Sequence, residues 1–185
     1  MLRRTVIALV MAFFCSVSLM PSQAEAAGKI GVANPMRLSS QSDPGKEAEK
    51  QLNAMFGKER EQLEKQGADL NKQAEELRKQ AAALSEKARN ERAQKIQKKA
   101  QELDTKGTAY TQRLSRVQQA INSQLNDVLR AACESYAEKN DYDMIVDGTV
   151  VMFYTKGKDV TDDLIKEVNK IWKSKGGKFK LDSVK

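Results

Sequence analysis

The sequence predicts an α+β fold that is mainly α: a long antiparallel helical-hairpin arm carried on a small β-strand body. Three observations predict it. Residues 46–139 contain no proline and only three glycines (Gly57, Gly67 and Gly107), and are dense in Lys, Arg, Glu, Gln and Ala. Those side chains lose little rotamer freedom in a helix. The same stretch carries two apolar seams that do not share a phase. Clusters of β-branched and aromatic residues flank it, around Ile30 and after Asn140.

Composition sets the bounds. The 185 residues amount to one domain's worth of chain; 40% are hydrophobic, only 5% aromatic and 31% charged. That balance fits an extended helical protein better than a large compact core. The net charge of +7 favours anionic partners.

The first segment reads as an address. Arg3 and Arg4 precede an apolar run from Val6 to Met20, Pro21 breaks it, and Ala24-Glu25-Ala26 offers small residues for cleavage. The run is shorter than the roughly 20 residues that span a bilayer, so residues 1–26 are read as a cleaved secretory signal. Losing Arg3, Arg4 and Glu25 leaves a mature charge of +6. The expected compartment is the periplasm, where nucleic acid is not a physiological partner. Cys133 is then the one remaining cysteine, expected as a small buried helix residue.

The body is assigned to residues 27–45 and 140–177. Lys29-Ile30-Gly31-Val32-Ala33 predicts a short strand. Asn34-Pro35 predicts a brief helix, and Asp43-Pro44 repeats the pattern of a cap followed by proline at the start of the long helical stretch.

Within the arm, residues 46–139, Leu63, Leu70, Leu77 and Leu84 recur every seventh position, with Gly67, Ala74 and Ala81 between them. That is a heptad seam of large and small residues. The second seam runs through Ala93, Ile96, Ala100, Leu103, Gly107, Tyr110, Leu114, Val117 and Ile121. Ser85 can cap a new helix, so the chain is expected to fold back with its tip at residues 82–89. Folding there sets Leu63 against Gly107, Gly67 against Leu103, Leu70 against Ala100, Ala74 against Ile96 and Leu77 against Ala93. Each pair opposes a large side chain to a small one. An arm of this length extends about 60 Å at 1.5 Å per residue. A parallel coiled coil with a stutter is the competing arrangement.

Beyond Asn140, Tyr142–Val146 and Val150–Tyr154 flank Asp147-Gly148-Thr149 and predict a two-stranded hairpin. Thr161 is expected to cap a last helix, with Asp162 and Asp163 in its first turn and Leu164, Val168, Ile171 and Trp172 on its apolar face. Gly176-Gly177 ends it, and residues 178–185 form a basic tail that is expected to be mobile.

In order and spacing, these residues resemble the Skp/OmpH family of periplasmic chaperones. The resemblance rests on Lys29-Ile30-Gly31-Val32, on Gly45-Lys46 with Ala48, and on Leu84-Ser85-Glu86 with Ala88-Arg89. Its strongest part is Met144-Ile145-Val146-Asp147, Val151 with Phe153-Tyr154, and Asp159-Val160-Thr161-Asp162. It implies a homotrimer whose strands form a small barrel, with three arms around a cavity. It also implies an ATP-independent holdase that keeps unfolded outer-membrane β-barrel proteins soluble until insertion. Lipopolysaccharide contact in the family is ascribed to basic positions near Lys106 and Arg116; a second arginine there falls on Val117.

The residues argue against an enzyme and call for no cofactor. The chain has no histidine, no Gly-rich phosphate loop and no spaced cysteine cluster, which also argues against a tight metal site. Around the tip, Arg78, Lys79, Lys87, Arg89, Arg92, Lys95, Lys98 and Lys99 face only Glu86 and Glu91, a local charge of +6. These form a candidate surface for capturing acidic client segments or anionic lipid. Leu52, Met55, Phe56 and Tyr110, low on the arm where the seam degrades, are candidate apolar client contacts; packing of the arm on the body is the plainer role for Phe56. The alternative function is a coiled-coil spacer of the cell envelope that binds no client.

Overall fold

The computed structural model describes residues 28–181; the proposed signal segment lies outside them. The order is β1 (Ile30–Ala33), α1 (Pro35–Gln41), α2 (Asp43–Gln80), α3 (Glu86–Lys139), β2 (Met144–Asp147), a single 3-10 turn at Lys156–Lys158, and α4 (Thr161–Ser174).

Local chemistry sets most of these boundaries. The Asn34 side chain accepts from the Arg37 N–H at 3.0 Å and caps α1. Ser42, one residue before the expected cap Asp43, closes the start of α2 by accepting from the Gly45 N–H at 3.4 Å. The hydroxyl is short enough to reach back, and Asp43 becomes the first helical residue with Pro44 behind it. Where α1 meets α2 the backbones nearly touch. A Cβ at Gly45 would lie 1.5 Å from the Ser39 carbonyl oxygen, so only glycine fits. Ser85 caps α3 by accepting from the Ala88 N–H at 3.3 Å.

Helices α2 and α3 lie side by side and antiparallel. Leu103 faces Gly67. Arg92 donates to Gln80 at 2.6 Å, Lys99 donates to Gln73 at 2.8 Å, and Arg113 pairs with Glu59. These three polar ties are each symmetrical about Glu86 in sequence, one residue past the expected fold point. The seam residues Leu63, Leu70, Leu77, Ile96 and Leu103 are only half-buried, while Ala74 and Ala93 are exposed.

Burial deepens toward the base. On α3, Val117, Ile121, Leu125, Val128 and Ala132 are buried at spacings of three and four, one face of a helix. They form a core with Phe56 and Ala48 of α2 and Val168 and Trp172 of α4. Each fully buried aliphatic side chain contributes about 1.5–3 kcal/mol relative to exposure. A second cluster joins Ala33, Leu38, Val160 and Leu164 under the strands.

The sheet corrects the expected hairpin. β2 pairs in parallel with β1, Ile30 opposite Met144 and Val32 opposite Val146, and residues 150–154 are not a strand. The Asp147 carboxylate accepts from both the N–H and the hydroxyl of Thr149 at 2.7 Å, while the Gly148 N–H binds the Ala33 carbonyl at 2.7 Å. This Asx turn leads the chain away from β2 instead of reversing it. The chain rejoins β1 where the Val160 N–H meets the Val32 carbonyl at 2.9 Å.

Two further corrections fall in α4 and after it. Thr161 is the first helical residue and not the side-chain cap. Its hydroxyl accepts from the Asn34 N–H at 3.0 Å, and Asp159 accepts from the Thr161 N–H at 2.9 Å. The segment 178–181 is not loose: Phe179 and Leu181 are 7% and 6% exposed and belong to the main core.

Candidate functional site

The basic residues singled out from the sequence gather around the turn between α2 and α3. Arg78 and Lys79 occupy the last turn of α2, where the helix dipole favours cations. Lys87, Arg89, Arg92, Lys95, Lys98 and Lys99 follow on the first turns of α3, and all eight side chains are exposed. Between the helices runs an open groove of about 460 Å³ with Leu77 and Ile96 on its floor. Arg92, Lys95 and Lys99 rim it, with Glu76 and Glu102 also at its edge. The sequence seams anticipate the floor residues, but not that the half-closed seam leaves a groove. A smaller one, about 240 Å³, continues past Leu70 and Leu103 to Lys106. Lys106 and Arg116 are both exposed, on different turns of α3.

The apolar candidates sit lower. Phe56 is buried and meets Tyr110 edge-on, ring centroids 5.8 Å apart. Leu52, Met55 and Tyr110 are half-buried against the main core. Phe56 therefore packs the helix pair onto its base, and the other three present partial surfaces beside it.

A third surface is exposed where the sequence predicts a second hairpin strand. The excursion between Asp147 and Asp159 turns its apolar side chains outward: Val150 is 78% exposed, Met152 fully exposed and Phe153 82% exposed. Ile30, Met36 and Met144 add further exposed apolar area on β1, α1 and β2. The run Val150-Val151-Met152-Phe153-Tyr154 is strand-forming in composition, yet finds no strand partner among the described residues.

Titratable groups here serve structure. Burial, then the neighbouring Glu134 charge, pushes the Cys133 thiol up, which suppresses the reactive thiolate. Hydrogen bonds from the Lys139 ammonium and then the Ser135 hydroxyl hold the Glu167 carboxyl below its ordinary range. Among the described residues no group of His, Cys, Asp and Glu is arranged to hold a metal ion, and no helix is long and apolar enough to cross a membrane.

The fold defines a class: a long antiparallel helix pair rooted in a small mixed base. Residues 29–168 match the family described as outer membrane protein (OmpH-like), and the chain belongs to that family. It is 25% identical over 152 residues to the chaperone protein Skp of Yersinia enterocolitica, covering 82% of this chain and 93% of that protein. It is likewise 25% identical over 144 residues to the chaperone protein Skp of Pectobacterium atrosepticum, covering 78% and 87%. Among solved structures, an OmpH-like outer membrane chaperone from Caulobacter crescentus shares the fold. The TM-score is 0.58 at 18% identity, over 78% of this chain and 86% of that one.

Proposed function

We propose that this chain is a periplasmic, ATP-independent holdase that keeps unfolded outer-membrane β-barrel proteins from aggregating before their insertion. The observation that carries the proposal is the extent of the match. The helix pair and its base together align with proteins named as chaperones, over nine-tenths of the length of one of them.

The geometry supports a way of working. In this reading the helix pair is a protruding arm. Its half-closed seam and basic tip offer many weak contacts and no deep cavity. Weak, distributed contacts leave a bound chain its entropy, while several arms raise the effective concentration of contact sites. The tip cations capture acidic client segments or anionic lipid, and Lys106 and Arg116 extend that surface toward lipopolysaccharide. Leu52, Met55 and Tyr110 then hold apolar client segments near the base.

Several arms require several chains. Two paired strands make a poor independent sheet. The outward run Val150–Tyr154 supports a homotrimer, in which it pairs with the corresponding segments of two further copies.

The test is refolding of a denatured outer-membrane barrel protein, without ATP, at a ratio of one client to three chains. Suppressed light scattering is the expected result. Unchanged aggregation, together with a rod-shaped dimer in solution, would instead favour the envelope spacer.

A further inference from the structure

After α4 the chain turns back through two glycines in the left-handed region, Gly176 at φ 97° and Gly177 at φ 63°. The segment that follows lies outside any helix or strand and alternates strictly: Lys178 exposed, Phe179 buried, Lys180 exposed, Leu181 buried. The Phe179 ring lies 4.6 Å from that of Trp172. Gln124 of α3 holds the backbone between the two apolar anchors. Its amide oxygen accepts from the Lys180 N–H and its nitrogen donates to the Lys180 carbonyl, both at 2.9 Å. The same nitrogen reaches the Ala120 carbonyl of its own helix at 3.2 Å, which fixes the plane of the amide.

This is how a groove reads an extended peptide without regard to its polar side chains. Two backbone bonds set the register, and sites for alternate side chains set the specificity. The residues that match the family stop at 168, so the segment lies outside them. Strands of membrane β-barrels alternate apolar and polar residues in the same way.

We propose that the groove formed by α3 and α4 around Gln124 and Trp172 is a binding site for extended client segments with an aromatic residue at one position and an aliphatic residue two further on. Residues 178–181 are its resident occupant, which a client strand displaces about the Gly176-Gly177 hinge. The idea rests on the chaperone reading above. It makes client loading a competition, because apparent affinity is lowered by the fraction of chains whose groove is filled from within.

The test uses a fluorescein-labelled peptide of sequence GGKFKLD and its counterpart with Phe and Leu replaced by Ser. Anisotropy titrations compare the intact chain with F179S/L181S. The variant should bind the first peptide at least about tenfold more tightly than the intact chain. It should ignore the second, and lose the first when Q124A is added. Equal binding to both chains overturns the proposal. Should F179S/L181S lose its helical circular dichroism, hydrogen exchange on the intact chain decides. The Lys180 amide, shielded by Gln124, must exchange faster once unfolded barrel protein is added, and unaltered exchange overturns the proposal. Light scattering on the same samples separates the two levels. Suppressed aggregation with Lys180 still shielded leaves the chaperone standing and removes the groove, whereas no suppression removes both.

Discussion

Gly67 on α2 faces Leu103 on α3, and a Cβ added at position 67 would meet the Leu103 Cδ2 at 3.9 Å. That is ordinary van der Waals contact, so the helices approach closely enough to touch and not so closely that glycine is required. Gly67→Ala should therefore raise stability by roughly 0.5–1 kcal/mol, the cost of glycine in a helix interior. Denaturant melts of the two chains measure it, and a midpoint that falls would mean the seam is tighter than this spacing.

Gly45 gives the opposite case. With the Ser39 carbonyl oxygen 1.5 Å from a new Cβ, no side-chain rearrangement makes room, because the obstacle is backbone. Gly45→Ala should cost about 3 kcal/mol through displacement of α1 from α2. Thermal unfolding by circular dichroism checks it, and the two alanine variants should move in opposite directions.

The contrast shows what was legible in the sequence. Ser85 as a cap and Leu103 opposite Gly67 follow from local chemistry and heptad phase, and both are found. The strand pairing was not legible. Asp147-Gly148 is a strong local hairpin signal, but the partner of β2 is β1, more than a hundred residues earlier. A distant partner overrides a turn signal whenever it satisfies the same backbone groups. The basic candidates lie together because they are near neighbours in sequence on either side of one turn, and each is exposed. The role of Phe179 was hidden because a short Lys-rich segment looks like a solvated tail until Trp172 and Gln124 are placed beside it. The alternation of Lys178, Phe179, Lys180 and Leu181 was the available signal.

The Glu167 carboxylate ties α4 to the end of α3, accepting from Lys139 at 2.5 Å and Ser135 at 2.9 Å. These bonds depress its folded-state pKa. The stabilisation is thus present above the ordinary carboxylate range and is lost as pH falls through the lowered folded value. Glu167→Gln should be less stable at neutral pH by about 0.2–1 kcal/mol, as for a partly exposed pair. The two melting temperatures should converge under acid conditions. A gap that persists at low pH would assign the effect to packing.

Charge at the tip is predicted to govern the speed of client capture. Arg89→Gln, Arg92→Gln, Lys95→Gln and Lys98→Gln together remove four of the exposed cations on the first turns of α3. Stopped-flow capture of an unfolded barrel protein should slow by about tenfold at low salt, and its dependence on ionic strength should flatten. Melting should fall only slightly, because the one cross-helix bond removed, from Arg92 to Gln80, is exposed. Unaltered capture rates would dismiss electrostatic steering.

Phe153 tests the proposed assembly. It is 82% exposed beside a fully exposed Met152, in a strand-forming run with no partner among the described residues. An exposed apolar surface of this kind marks an interaction site, and the proposed trimer covers it with the same run from neighbouring copies. Met152→Asp with Phe153→Asp places two charges in that contact, and burying unpaired charge is costly. Light scattering coupled to gel filtration should show the mass fall from three chains to one, while the helical content of each chain is retained. The monomer should also lose most of its suppression of aggregation, because one arm no longer shares a client with two others. A variant that keeps the wild-type mass would move the assembly interface away from residues 150–154.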